Sequence, residues 1–191
     1  YLMRLSHKSP KYQEVVAAVD ASFTNAADEM KFVYNGTTTV NPVHRFFINR
    51  NNLSASTSLK AKLDARTDPR AARFFKKALA AQTSVTYAPN GDPIQQQNGY
   101  GISNITSITA PTYLLSYHEL QFVKAEALVR LGGAANLALA ETALNNAVQA
   151  AFVKVGLTAA AGATYFTTTV KPLFDANPLS EVLMQKYLSQ Y

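Results

Sequence analysis

The stretch from Pro111 to Gly133, PTYLLSYHELQFVKAEALVRLGG, constrains the fold more than any other part of the chain. Ser116 and Glu119 have the S-x-x-E spacing of a capping box, in which each side chain bonds a backbone N–H that the first helical turn leaves without a partner. A glycine pair then ends the pattern, because glycine adopts the left-handed conformation without a steric penalty. The sequence therefore predicts a helix over Tyr117–Leu131. Its apolar residues recur at helical spacing, at Leu120, Val123, Ala127 and Leu131.

A second helical pattern follows directly and predicts a helix from about Leu137 to Val155, with Gly156 at its end. Two helices joined by so short a turn form an αα-hairpin. Alanine is abundant in both, and small side chains let helices approach closely. Such a pair is the unit of a tetratricopeptide-like solenoid. We therefore predict a mainly α fold of tetratricopeptide-like hairpins with long irregular loop insertions. The two helices should contact each other through Val123, Ala127, Leu144 and Val148.

Shorter helices are predicted elsewhere from their start signals. Pro10 opens one that buries valines, and Ser56–Ala65 is another, with leucines four residues apart. Asn177–Pro178 is an N-cap followed by proline at the first helical position, where its missing N–H costs nothing. A short helical piece is expected over Thr164–Val170.

Two other segments are harder to interpret from the sequence alone. Asp68–Pro69 also has the form of a helix start, but the residues after it fit either a long helix or one turn and a strand. Thr37–Leu53 is rich in Asn and Thr and is expected to be irregular. The 191-residue length suggests one domain, with residues 81–112 as a long loop and 116–191 as a C-terminal helical part.

Composition excludes several kinds of chemistry. The chain has no cysteine, which rules out disulfides, thiolate catalysis and cysteine metal sites within it. Its three histidines are far apart, and no nucleophile or phosphate-loop spacing occurs, so no metal site and no cofactor is predicted. The carboxylate pairs Asp64/Asp68 and Glu119/Glu126 could in principle hydrolyse a glycosidic bond. We instead assign Glu119 to the helix cap and Glu126 to a structural ion pair, and we do not predict an enzyme.

The net charge of +6 permits an anionic partner, but the basic residues are scattered, and an ordinary solvated basic face is the favoured interpretation.

Several segments carry a resemblance to a known family. The strings SYHELQFVKAEALVRLGG, ALNNAVQAAFVKVGL and LMQKYLSQY resemble, in this order, the C-terminal part of the SusD/RagB family. Upstream, RLSHKSPKYQEVVAAV is similar to that family's central helical repeat, Asn41–Pro42 to the loop that follows, and LDARTDPR to its L-x-x-x-x-DPR segment.

The resemblance implies a tetratricopeptide-like lipoprotein of the outer-membrane surface. Family members capture oligosaccharides or polysaccharides and work with a SusC-like TonB-dependent transporter, without making or breaking a bond. They are typically more than twice as long as this chain, so we expect it to be a fragment missing both ends. The lipid-anchoring cysteine would then lie outside it.

The loop at Gln82–Thr112 is the candidate site. Long loops in compact domains are often functional, and sugars are recognised by aromatic rings on their C–H faces and by amides on their hydroxyls. We predict that Tyr87 and Tyr100 are stacking platforms and that Asn90 and Asn98 bind hydroxyls. The competing interpretation is that the loop is polar because it is hydrated and that its tyrosines anchor it to the scaffold. The alternative function is a helical-repeat scaffold that binds a peptide or protein partner.

Overall fold

The computed structural model describes residues 1–6, 8–50, 53–91 and 99–190. The fold is mainly α, as predicted, and its strands are short. The chain divides into two compact units. The first, here called the hairpin unit, comprises Tyr1–Met30 and Leu114–Gln190; the second, the loop unit, comprises Lys31–Tyr113.

The hairpin unit is built from helices. They are α1 (Leu2–Leu5), α2 (Tyr12–Asp20), α6 (Tyr117–Leu131), α7 (Ala134–Lys154), α8 (Ala159–Tyr165), α9 (Lys171–Ala176) and α10 (Pro178–Ser189). The α2 helix buries Val15, Val16 and Val19, the valines of the predicted helix after Pro10. The α10 helix begins as predicted, with the Asn177 side chain accepting a hydrogen bond from the Ser180 N–H at 3.2 Å.

The α6–α7 hairpin is the centre of this unit. Gly132 and Gly133 both have positive φ, at 72° and 81°, so the chain reverses over two residues. The helices on either side pack together along their length and must therefore run antiparallel. The second helix starts at Ala134, three residues before the predicted Leu137. Of the four predicted contact residues, Ala127, Leu144 and Val148 are fully buried and Val123 is partly buried against the core.

Small residues let the next helix approach α7 closely. A Cβ placed on Gly162 of α8 would lie only 2.8 Å from the Cα of Gln149 and 3.3 Å from the Phe152 side chain. The Phe152 and Tyr165 rings then meet at 5.3 Å. The predicted short piece at Thr164–Val170 is in fact part of one helical run from Ala159 to Ala176, with Phe166–Val170 in π-helical conformation.

The start of α6 corrects one prediction. Neither half of the Ser116–Glu119 capping box forms within the described residues, although the helix begins where predicted. Instead the Tyr117 N–H donates to Oε1 of Glu29 at 3.0 Å. A carboxylate from a distant segment thus takes the place of the local cap, and its negative charge suits the positive end of the helix.

The loop unit has shorter elements. They are α3 (Pro42–Arg50), α4 (Thr57–Asp64), α5 (Ala71–Phe74), β2 (Phe75–Lys76) and β3 (Ile102–Ser103), with a 3₁₀ turn at Asn104–Thr106. Strands β2 and β3 pair antiparallel, with Phe75 opposite Ser103. Strands β1 (Met30–Phe32) and β4 (Thr112–Leu115), in which the chain crosses the two unit boundaries, form a second two-stranded sheet.

The α3 helix lies where an irregular segment was predicted over Thr37–Leu53. Oδ1 of Asn41 accepts from the backbone N–H groups of Val43, at 2.6 Å, and His44, at 3.2 Å, which is an N-cap. Pro42 occupies the first helical position. The prediction was wrong because this Asn-Pro pair is the same start signal as Asn177–Pro178, and the surrounding polar residues masked it.

The α4 helix confirms the predicted helix at Ser56–Ala65. The DPR sequence that follows it has a structural role. Asp68 forms a buried ion pair with Arg70, with 2.6 Å between Nη2 and Oδ2, and its Oδ1 also accepts from the Arg70 N–H at 3.0 Å. Asp68 was predicted to be an N-cap with Pro69 as the first helical residue. The helix instead begins at Ala71, and it is one turn followed by strand β2.

Candidate functional site

The predicted loop is tied to α4 by backbone hydrogen bonds. The Ala88 N–H donates to the Ala55 carbonyl at 2.8 Å, and the Thr57 N–H donates back to Ala88 at 3.0 Å. Gly101 joins them, because its N–H donates to Thr86 and its carbonyl accepts from Ala55, each at 2.7 Å. The residues on both sides of Tyr87, and the residue after Tyr100, are therefore held in one backbone cluster.

Tyr87 is half-buried in this cluster. Its ring meets that of the buried Phe75 edge-on, with centroids 5.5 Å apart and planes at 88°. The Lys60 ammonium lies 5.4 Å from the Tyr87 centroid, within the range of a cation–π contact. Burial raises the pKa of the Tyr87 hydroxyl; Lys60 opposes that shift and Asp64 adds to it. One side of the ring is thus engaged with the scaffold, as the anchor interpretation expects.

Asn90 is exposed and lies at the N-terminus of α4. The Ser56 hydroxyl donates to Asn90 Oδ1 at 3.0 Å, and Asn90 Nδ2 donates to the Ser58 hydroxyl. Ser56 is also the N-cap of α4, since it accepts from the Ser58 N–H. Both ends of the Asn90 amide therefore have protein partners, which a bound hydroxyl would have to share or displace.

Tyr100 is half-buried and lies between Gly99 and Gly101, two positions where the structure favours glycine. Gly99 has φ of 67°, and its carbonyl accepts from Gln82 Nε2 at 2.6 Å. A Cβ on Gly101 would lie 2.3 Å from the Val85 side chain and 3.1 Å from the Lys76 carbonyl, so only glycine fits there. The backbone around Tyr100 is held on both sides. Asn98, the fourth predicted site residue, lies outside the described residues.

The structure thus brings Tyr87 and Asn90 to the start of α4. Tyr100 precedes Gly101, whose backbone is bonded both to Thr86 and to Ala55. Sequence analysis missed Lys60, whose position over Tyr87 depends on segments 27 residues apart. It also missed Ser56 and Ser58 as partners of Asn90. The only available signal was the S-x-S pattern that opens α4, which marks a helix cap but does not identify a distant partner.

Three of the four carboxylates named as catalytic candidates, all but Glu119, are engaged in ion pairs. Asp64 pairs with Lys60, and Asp68 with Arg70. Glu126, which is buried, contacts Arg130 Nε at 3.0 Å and Lys186 Nζ at 3.1 Å. The predicted structural ion pair of Glu126 is therefore confirmed, with a second cation from α10 added.

Throughout the described parts of the chain, no helix combines the length and the apolar character needed to cross a membrane.

The packed pair of antiparallel helices and the mainly α architecture define a helical protein of the tetratricopeptide-like class. The chain belongs to the SusD-like family, described as starch-binding and associating with the outer membrane, whose model matches residues 1–191. Among solved structures, it is similar to a SusD/RagB family protein from Bacteroides thetaiotaomicron VPI-5482, with 38% identity and a TM-score of 0.85. That match covers 99% of this chain and 46% of the other.

More distant structures share the fold. A chitin-binding SusD homologue from Flavobacterium johnsoniae is 18% identical, with a TM-score of 0.71 over 98% of this chain and 44% of its own. A SusD homologue from Bacteroides vulgatus ATCC 8482 is 19% identical, with a TM-score of 0.69 over 98% and 45%. No curated protein matches the sequence significantly.

By the coverage figures, the chain spans somewhat under half the length of these solved relatives.

Proposed function

We propose that this chain is part of a cell-surface protein that captures oligosaccharides or polysaccharides and passes them to a SusC-like TonB-dependent transporter. The observation that carries the proposal is membership of a starch-binding family over the whole chain, together with a relative of 38% identity. The solved homologue from Flavobacterium johnsoniae binds chitin, another polysaccharide. The protein itself would sit at the outer membrane, held by a lipid anchor outside residues 1–191.

In this proposal the loop unit contributes part of the sugar site. Tyr100 and the open side of Tyr87 stack on the C–H faces of sugar rings, and Asn90 and Asn98 bind hydroxyls. The backbone cluster around Ala55, Ala88 and Gly101 supports these side chains, since loops held on a rigid scaffold keep their geometry when a ligand arrives. Affinity per contact is modest, because each sugar hydroxyl exchanges a water hydrogen bond for a protein one.

Affinity electrophoresis of the full chain in gels containing starch, glycol chitin or an anionic polysaccharide tests the proposal. Retardation by at least one of these is expected, and Tyr100→Ala should weaken it by about 0.5–1.5 kcal/mol, the scale of an aromatic contact. Tyr187→Ala is the matched control, because Tyr187 is a 52% exposed tyrosine of the hairpin unit.

An equal loss of polysaccharide affinity in Tyr100→Ala and Tyr187→Ala would show that the loop is not part of the sugar site. Absence of retardation by every polysaccharide, together with binding to a peptide library, would favour the helical scaffold that binds a peptide or protein.

A further inference from the structure

The net positive charge of this protein comes from only one of its two units. The loop unit, residues 31–113, holds ten Lys and Arg against three Asp, a net charge of +7. The hairpin unit holds eight Lys and Arg against nine Asp and Glu, a net charge of −1. The overall +6 is therefore not an evenly solvated basic surface, and its origin lies in the unit that carries the loop site.

The two units also differ in how their cations are neutralised. In the hairpin unit, ion pairs with carboxylates engage at least Lys11, Lys124, Arg130, Lys171 and Lys186. In the loop unit the described carboxylates, Asp64 and Asp68, are already taken by Lys60 and Arg70. Among the described residues, six basic side chains of this unit have no carboxylate partner: Arg45, Arg50, Lys62, Arg73, Lys76 and Lys77.

Three of these cations lie on a segment that is bonded to the backbone after Tyr100. Lys76 pairs with Ile102 in the β2–β3 ladder, and its carbonyl lies against Gly101. The Arg73 carbonyl accepts from the Asn104 amide. Arg73, Lys76 and Lys77 are all exposed. Cations without a carboxylate partner thus lie on the segment whose backbone is bonded to the residues after Tyr100, and Lys60 lies over the Tyr87 ring.

An excess of like charge destabilises a compact unit through self-repulsion and attracts counter-ions of opposite sign to its surface. An anionic ligand offsets this repulsion when it binds. We propose that the glycan recognised by the loop unit is anionic, a polysaccharide whose sugars carry carboxylate or sulfate groups. The inference rests on the proposed glycan-binding function and names its substrate class. A lysine ammonium is a compact charge that accepts either group, so carboxylate and sulfate are two sources of one chemistry.

The experiment measures binding of the full chain to four probes by affinity electrophoresis and calorimetry. Polygalacturonate supplies carboxylates alone, chondroitin sulfate supplies sulfates in addition to carboxylates, amylopectin is neutral, and duplex DNA is a polyanion whose charges are phosphates and not groups on a polysaccharide. We expect binding to polygalacturonate or chondroitin sulfate to exceed binding to amylopectin and to DNA by at least roughly tenfold, about 1.4 kcal/mol. It should weaken as salt rises, since the screening length falls from about 30 Å at 0.01 M to about 8 Å at 0.15 M.

Charge-reversal variants then locate the effect. The double variant K76E/K77E should lose on the order of tenfold in anionic-glycan affinity, because two exposed charges near the ligand are inverted. The control K8E/K11E makes the same change in net charge at two lysines of the hairpin unit, and its affinity should stay within about twofold of the parent, because neither lysine belongs to the unit that carries the proposed site. Circular dichroism melting verifies that both variants fold, and the salt dependence of the parent chain does not depend on either of them.

Three outcomes would overturn the inference. Preferential binding to amylopectin without salt dependence would leave the glycan-binding function intact and refute the anionic class. Equal binding to DNA would mean that the basic loop unit binds any polyanion and does not recognise a glycan. Equal weakening in K76E/K77E and K8E/K11E would mean that net charge and not this site governs binding. If no polysaccharide binds at all, the proposed function itself fails.

Discussion

At the scale of single residues, the loop unit is held by a few side chains that each have more than one partner. The Tyr87 ring contacts Phe75 on an edge and Lys60 across its face. Asp68 accepts from both the side chain and the backbone of Arg70, and Arg70 is completely buried. Such residues are expected to affect stability strongly, because their partners stay buried when they are removed.

Tyr87→Ala should lower the melting temperature, unlike a change at a freely exposed tyrosine. The lost ring pair alone is worth about 0.5–1.5 kcal/mol. Differential scanning calorimetry compares it with Tyr187→Ala, whose side chain is half exposed. If Tyr87→Ala melts with the parent protein and loses only sugar affinity, the ring is a platform alone and not also an anchor.

Asp68→Ala should destabilise the chain far more than Asp64→Ala. Removing one partner of a buried ion pair deprives the remaining buried charge, here Arg70, of that partner and typically costs about 3–5 kcal/mol. Asp64 makes an ion pair with Lys60 that is largely exposed, and such a pair contributes about 0–1 kcal/mol. Urea unfolding of both variants gives the comparison, and equal free-energy losses would contradict the structural role assigned to Asp68.

At the scale of elements, the α6–α7 hairpin organises the hairpin unit. Its helices meet through alanines and larger apolar residues with complementary sizes. Phe122, Leu144 and Phe152 are each fully buried, and the alanines between them let the backbones approach. The α8 helix uses the same device at Gly162, where even a methyl group would collide with the backbone of α7.

Leu144→Ala should therefore cost about 2–5 kcal/mol, the range for truncating a fully buried leucine. Leu139→Ala provides a control in the same helix, because Leu139 is 54% exposed and surface changes usually stay within about 0.5 kcal/mol. Chemical denaturation measures both. A loss below half a kcal/mol at Leu144, on this scale, would mean that the hairpin is packed differently.

At the scale of the whole molecule, three of the candidate catalytic carboxylates form structural ion pairs. Asp64, Asp68 and Glu126 are all engaged with basic side chains. A glycosidase requires two carboxyl groups facing the same bond, one of them able to hold a proton. These carboxylates instead balance cations within their own units.

We therefore expect no hydrolysis of any polysaccharide that the chain binds. The measurement is reducing-sugar release during prolonged incubation with the bound glycan, followed by chromatography of the products. Turnover that disappears in Glu126→Gln or Asp68→Asn, with folding verified by circular dichroism, would overturn this expectation.

The amino-acid sequence by itself determined the α6–α7 hairpin, the α4 helix, the start of α10 and the family. The three helical features depend on apolar spacing, caps and glycine stops, which act between residues within about four positions of each other. The family follows from the order of several such segments along the chain. The α3 helix had the same kind of local signal in Asn41–Pro42, and a consistent use of that signal would have predicted it.

Only the tertiary structure decided how distant segments share their groups. Glu29 caps α6 in place of Ser116, across 88 residues, and Lys60 covers Tyr87 because the loop returns to α4. The division of charge into one strongly basic and one nearly neutral unit likewise follows from which segments pack together. The capping box is a local preference, and it gives way when folding brings a stronger acceptor, here a carboxylate on the Tyr117 N–H, to the first turn of the helix.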